Sequence, residues 1–383
     1  MRSIVAFGAA VSMLLACAAP LSAADLPPEK VTVAKLPPPN PYRLFVSDLA
    51  IDHILDGKMM VVDGESLKYQ GTVSTGAFAL TRLSPDRKDI FIATTFYSRL
   101  THGKRSDMLM VYDAQTLLPK QEYELPAKKA QALAYKGTIG VTPDGRFVIV
   151  QNATPASSIS IVDRKAGKFV TEVPTPGCWI VLPAQSVNNR FTTICGDGTL
   201  LTITLDDAGK VKDQKRSPAM FDADKDPVFV SADNDGDRYY FVSFNGNVYS
   251  ADLGGEVAKF DPSWPAVDEA DKKESWRPGG YQPLAYHKES GKLYLAMHPN
   301  GKEGSHKNPA QEIWVFDVAS KKRVERVPAD NAIAITVSRG AAPKLFSVEP
   351  FKRTITAYDA GEHLTKKNSA EGFGEEPMLL ETY

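Results

Sequence analysis

One pattern recurs from Met59 to Leu364: an apolar strand ends in an aspartate, the chain turns, and a second strand follows. The marks are Asp63 in MMVVDGESLKYQGTV, Asp113 in DMLMVYDAQTLLPKQEYEL, Asp163 in SISIVDRKAGKFVTEV, Asp206 in LLTITLDDAGKV, Asp252 in NVYSADLGGEV, Asp317 in EIWVFDVASKKRVERV and Asp359 in TITAYDAGEHL. Successive marks stand 42 to 65 residues apart, near the period of a propeller blade. Stretches such as SPDRKDIFIATT, TPDGRFVIVQNA, DGDRYYFVSFNG and SGKLYLAMHP add a polar turn and another β-rich run, which brings each unit to about four strands. One such mark is common in β proteins. Seven at this spacing predict an all-β fold, a seven-bladed β-propeller over residues 44–383 as one domain. The aspartates are read as turn caps, not as catalytic groups. The longest interval, Asp252 to Asp317, has to hold an insertion, and PAVDEADKKESW within it is a candidate short helix.

The N-terminus sets the compartment. Arg2 precedes an apolar run from Ile4 to Leu21, and Ser22-Ala23-Ala24 offers small residues before a cleavage at Asp25. Residues 1–24 read as a secretory signal peptide, and no other apolar run is long enough to span a membrane. A rival reading is lipidation at Cys17, after Leu14-Leu15-Ala16. Residues 25–43, with Pro37-Pro38-Pro39 and Pro41, read as an extended arm. An exported chain meets oxidising conditions, where disulfides persist. Once Cys17 leaves with the signal, Cys178 and Cys195 are the two thiols left. Their spacing is not that of a redox C-x-x-C, and no histidine spacing completes a zinc site. A bridge is therefore favoured over a redox pair or half of a metal centre.

The search for chemistry returns little. The formal net charge is −1, and no basic stripe supports nucleic acid as a partner. The chain has no phosphate loop, G-x-S-x-G, H-E-x-x-H or dinucleotide fingerprint. His298 and His306 share the loop MHPNGKEGSHKNP, but further metal ligands are lacking and a solvated or interface loop is preferred. ADNDGD, at 232–237, has a calcium-like composition without the spacing of an EF-hand, and reads as a tight turn. Phe78, in a turn-rich stretch after a strand, and Phe96-Tyr97, before a basic loop, are core residues by pattern. Exposed-loop aromatics also serve as interface anchors.

Several blocks carry a resemblance. They are HGKRSDMLMVYDA (102–114), QNATPASSISIVD (151–163), GCWIVLP (177–183), TICGDGTLLTI (193–203), NVYSADLGG (247–255), WRPGGY (276–281) and MHPNGKEGSHKNPAQEIWVFD (297–317). Together they resemble the large subunit of the aromatic amine (aralkylamine) dehydrogenases. The methylamine dehydrogenase heavy chain is similar but more distant, sharing the WRPGG element and the paired cysteines. The resemblance implies a seven-bladed propeller in a periplasmic α2β2 heterotetramer. Its partner is a small subunit carrying tryptophan tryptophylquinone. The assembly oxidatively deaminates an aromatic primary amine to aldehyde and ammonia, then passes electrons to a copper protein such as azurin. The catalytic groups are then on the small subunit and none is expected on this chain, nor any metal. The family places a large-subunit phenylalanine at the mouth of the quinone pocket, just before the S-x-D-x-K turn of the first blade. STGAFALTRLSPDRK puts Phe78 there as a substrate-channel residue. The family also carries a structural disulfide at the positions of Cys178 and Cys195.

Two readings of other classes stand beside this one. A stand-alone periplasmic propeller would bind or scaffold without chemistry. A lactonase-type hydrolase would need carboxylates or a metal gathered at the central channel, which the sequence does not locate.

Overall fold

The computed structural model describes residues 32–131 and 135–383; the expected signal peptide and the first part of the arm lie outside the described residues. The chain from Lys35 to Tyr383 forms one unit of seven antiparallel sheets. Blade 1 runs from its inner edge outward as Pro377–Thr382, Arg43–Asp48, Lys58–Asp63 and Tyr69–Ser74. Blade 2 is Ala77–Leu83, Asp89–Arg99, His102–Asp113 and Pro119–Leu125. Blade 3 is Ile139–Val141, Phe147–Asn152, Ser158–Asp163 and Lys168–Pro174. Blade 4 is Cys178–Pro183, Arg190–Cys195, Leu200–Leu205 and Val211–Arg216. Blade 5 is Asp233–Asp235, Arg238–Val242 and Asn247–Asp252, with Lys259–Phe260 and Trp264–Pro265 sharing its outer edge. Blade 6 is Leu284–His287, Lys292–His298, Ala310–Asp317 and Lys322–Ala332, with Arg277–Pro278 also paired to Lys292–His298. Blade 7 is Ala334–Val337, Lys344–Glu349, Thr354–Ala360 and Leu364–Ala370.

Seven apolar clusters hold the ring, one between each adjacent pair of blades. Phe91 and Leu109 of blade 2 meet Val148 and Val162 of blade 3. Tyr240 of blade 5 meets Trp314 and Phe316 of blade 6. Middle strands are thus covered on both faces, and Phe147–Asn152 and Ser158–Asp163 are buried at every position. That is why FVIV at 147–150 reads as a continuous apolar run, whereas SISIVD alternates and buries its serines as well. The outermost Val211–Arg216 faces water and is largely polar.

The repeat marks fall where the sequence puts them, one per blade at the end of the third strand. Six accept from the turn that follows. Asp63 takes the amides of Glu65 (3.2 Å) and Ser66 (2.8 Å), and Asp113 those of Gln115 (3.0 Å) and Thr116 (2.8 Å). Asp163, Asp206, Asp252 and Asp317 do the same in their blades. Asp359 differs: its oxygens take the ammonium groups of Lys344 (2.8 Å) and Lys367 (2.9 Å) instead.

The insertion expected between Asp252 and Asp317 is split in two. Part is the helix Glu269–Lys273, shorter than the expected segment and opened by a capping box between Asp268 and Asp271. Asp271 is buried and receives Arg323 (2.6 Å) and Arg326 (3.4 Å), whose guanidiniums lie over Trp314. The other part is the loop 299–309, between the second and third strands of blade 6. Leu36, late in the Pro-rich arm, is buried among Phe45, Met59 and Leu117, and its amide donates to Gln115 O (2.8 Å).

The ring is closed by the C-terminal strand, which pairs with Arg43–Asp48. Asp48 is buried there and accepts from the amides of Glu375 (2.7 Å), Glu376 (2.7 Å) and Ala50 (3.1 Å). Gln282 reaches in from blade 6, donating to Leu380 O (3.0 Å) and accepting from Leu380 N (3.2 Å). Asp48→Ala would strand three backbone donors, and we expect a loss of about 3 kcal/mol in urea unfolding. No change would remove Asp48 from the closure.

Cys178 and Cys195 form a disulfide between directly opposed residues of the first two strands of blade 4. Closing a loop of this length stabilises by about 3 kcal/mol in the chain-entropy model. Cys178→Ser/Cys195→Ser should lower the unfolding free energy by about that amount, and reduction should do the same to the wild type. Two free thiols in the native protein would contradict the bridge.

Candidate functional site

Antiparallel blades give the ring two unlike faces. Connections after the first and third strands of each blade, including the aspartate turns, lie on one side, the turn face. Innermost strands begin on the other side, the loop face, where second and third strands are joined. The two most exposed large apolar residues, Leu100 and Phe351, each 81% exposed, tip such connections in blades 2 and 7. Phe96 (45%) and Ile51 (38%) lie on the same face. Sequence pattern makes Phe96 a core residue; the long hairpin of blade 2 carries it past the ring into water. Tyr97 is half-buried, and its hydroxyl accepts from Gln131 Nε2 (3.1 Å).

The loop face also holds a cavity of about 480 Å³, lined by Tyr135, Phe229, Phe244, Tyr281, His306 and Lys307 among others. Tyr135 and Tyr281 lie with ring centroids 6.1 Å apart, and the Lys307 ammonium sits 5.7 Å from the Tyr281 centroid. Burial raises the pKa of both tyrosines, while burial and then Lys307 lower that of His306. The WRPGGY segment shapes this cavity. Gly280 has φ +102°, and a Cβ there would collide with Ile333 O. Its amide donates to His306 O (3.0 Å), which ties the loop 299–309 to the ring.

Phe78 is the second residue of the innermost strand of blade 2, not part of a turn after a strand. The register slips between Ala77 and Leu80, making a bulge that gives Phe78 a φ of +49°. Its neighbours Ala77, Ala79 and Leu80 are buried, but Phe78 is half-buried and belongs to none of the seven apolar clusters. The innermost strand of blade 4 is bulged in the same way, with Ile180 at φ +58°. Ile180, however, is fully buried in the core. Phe78 does not line the 480 Å³ cavity, so the two features are separate parts of one face.

Beneath Phe78 lies a residue that the sequence reading missed. Lys129 is buried to 1% exposure, and its Nζ donates to Phe78 O (2.7 Å) and Ala130 O (3.0 Å). The Lys129 amide donates to Asp107 Oδ2 (2.8 Å), and Arg105 donates to Lys129 O (2.9 Å). Asp107 is fully buried, clasped by Arg105 (2.8 and 2.7 Å) and Thr95 Oγ1 (2.8 Å). Burial pulls the Lys129 pKa down to about 7, against the opposing effect of Asp107.

A family profile described as methylamine dehydrogenase heavy chain (MADH) matches residues 40–383. The chain belongs to the methylamine dehydrogenase heavy chain family. The heavy chain of Methylophilus methylotrophus is 28% identical over 360 residues, covering 92% of this chain and 86% of that one. That of Methylobacillus flagellatus is 27% identical over 335 residues, covering 87% and 82%. A solved structure of a functionally unknown protein from Desulfotomaculum acetoxidans superposes with a TM-score of 0.60 at 12% identity, over 89% of this chain and 98% of that one. At that identity it carries the fold alone.

In this heavy-chain family member the other candidates have structural places. Among the described residues, no group of three His, Cys, Asp or Glu is placed to hold a metal. His298 is buried beneath Gly279, with Nδ1 3.0 Å from Pro299 O. Asp233 of ADNDGD accepts from Tyr286 N (2.9 Å), and Gly236, at φ +56°, lies in the turn to the next strand. Trp276 and Trp314 pack with centroids 5.2 Å apart, tilted by 44°, as separate buried rings with Arg326 over both. Among the described residues no helix is long and apolar enough to cross a membrane.

The buried lysine gives a pH signature. Its pKa falls from 10.5 to about 7 on folding, so between those values the unfolded chain binds the extra proton. Stability from this site rises with pH across that window and is flat below it. The unfolding free energy of wild type relative to Lys129→Met should therefore move in favour of wild type from about pH 7 to about pH 10. A pH-independent difference would contradict the depressed pKa.

Proposed function

We propose that this chain is the large, non-cofactor-bearing subunit of a periplasmic amine dehydrogenase. The loop face receives a small subunit that carries tryptophan tryptophylquinone, in an α2β2 assembly. The observation that carries this reading is the loop face of a heavy-chain family member. Leu100, Phe351, Phe96 and Ile51 are exposed there beside an apolar cavity, and Phe78 is held out of the core. Tyr69, Val324, Leu118 and Val211 are exposed elsewhere, at or beside the starts of outermost strands, but the two residues of 81% exposure, Leu100 and Phe351, both lie on the loop face. Such residues beside an apolar cavity fit a partner surface.

When bound, the quinone supplies the electron sink for amine oxidation, and the proton-removing carboxylate belongs to the small subunit. This chain's own residues shape the approach. Phe78 walls the channel and packs against the side chain of the amine. Its ring suits an aromatic substrate through burial and edge-to-face contact. On this reading aromatic primary amines are preferred, and electrons leave singly to a copper protein such as azurin. The support for aromatic amines is the HGKRSD and MHPNGKEGSHKNP blocks and the aromatic at position 78. Methylamine is the second reading, favoured by the relatives at 27–28% identity, which are named for it.

Purification of the exported chain with its neighbours tests the assembly. A small chain should co-purify, absorb as a quinone, and bleach with tyramine or phenylethylamine as a dye is reduced. A colourless single chain without amine-dependent activity would return the protein to a scaffold role. In the active complex, Phe78→Ala should change kcat/KM for phenylethylamine relative to methylamine by about tenfold, the scale of one apolar contact. An unchanged ratio would remove Phe78 from the channel.

A further inference from the structure

We infer that Lys129 is a positioning residue for substrate selection: through Nζ it clamps the carbonyl of Phe78 and fixes the bulge that turns the phenylalanine out of the core. The inference rests on the proposed placement of Phe78 in the channel.

A phenylalanine at φ +49° is in a conformation that L residues avoid, and it persists only when its surroundings over-determine it. The bulge removes Phe78 from the regular ladder, since Ala77 pairs with Thr95 and the next pair is Leu80 with Ala93. Lys129 Nζ meets the Phe78 carbonyl at 2.7 Å in place of a strand partner. The clamp is itself anchored. Asp107 and Arg105, on the third strand of blade 2, hold the amide and carbonyl of Lys129. Ala130 O takes a second bond from Nζ, so the head group has little freedom to swing.

A bulge of this kind does not need a lysine. Ile180 occupies the matching position in blade 4 at φ +58°, and its side chain is buried in an apolar cluster that secures it. Phe78 lacks that anchorage, because its ring is half-buried and outside the clusters. Burying a lysine is costly, which is consistent with its lowered pKa. Both protonation states retain hydrogens enough to donate to two carbonyls, so the clamp holds on either side of neutrality.

The test uses the assembled two-subunit enzyme in four forms: wild type, Phe78→Ala, Lys129→Met and the double variant. Lys129→Met should shift the phenylethylamine-to-methylamine ratio of kcat/KM about tenfold in the same direction as Phe78→Ala. The change should lie in KM, with the quinone absorbance and the subunit ratio retained. In the double variant the two effects should not multiply, because one acts through the other. Deuterium uptake over residues 76–81 should also rise in Lys129→Met. Equal losses for both amines, or effects that multiply, would overturn the inference. A shift with Phe78→Ala but none with Lys129→Met would overturn it while leaving the channel reading intact. No shift with Phe78→Ala would overturn both. If Lys129→Met does not accumulate as folded chain, Lys129→Gln, with a shorter donor, carries the same comparison.

Discussion

The pairing of Pro377–Thr382 with Arg43–Asp48 is the contact on which the remaining structure depends. An open row of blades would leave the cluster between blades 7 and 1, with Phe346, Val348 and Leu380, facing water on one side. Closure lets the middle strands of each blade pack between neighbouring blades, and in blade 3 they are buried at every position. The polar clips at the seam are correspondingly dense. Asp48 binds the amides of Glu375 and Glu376, Gln282 brackets Leu380, and Glu381 accepts from Leu83 N (3.2 Å) and Arg87 (3.1 Å). These groups are drawn from both chain ends and from blades 2 and 6. The seam therefore ties the two ends of the sequence and fixes the inner rim from which the loop face rises.

The two faces of the ring divide the labour. The turn face is regular, with an aspartate in each blade and most of them bonded to the amides that follow. The loop face is where the blades differ: a long hairpin in blade 2, an eleven-residue connection at 299–309, and an exposed Phe351 in blade 7. Irregular connections on a rigid ring can vary without disturbing the clusters between blades. Such a surface suits docking, while the repeat beneath it suits stability.

That division also explains what the sequence made legible. The aspartate marks stand at fixed places in a local pattern, so blade number and the third-strand ends could be read directly. Asp359 broke the capping rule because two lysines, one on the neighbouring second strand and one on the outermost, compete for its oxygens. The disulfide was legible once the expected loss of Cys17 with a signal peptide left two cysteines. Phe78 was singled out by family resemblance alone, and its place in the fold was misread. Nothing in STGAFALTRL announces that a phenylalanine adopts a left-handed backbone inside a strand. Lys129 was invisible for a plainer reason. It lies 51 residues from Phe78, in a lysine pair that reads as solvated surface, and only the fold brings its Nζ to that carbonyl.

On the proposed reading the loop face, and not the turn face or the outer strands, receives the quinone-bearing partner. Deuterium exchange of this chain, alone and in its native assembly, tests that most directly. Protection on assembly is expected across 51–56, 96–101, 303–307 and 350–353, with the aspartate turns at 64–67, 114–117 and 206–209 unchanged. Protection confined to those turns or to the outermost strands would contradict it.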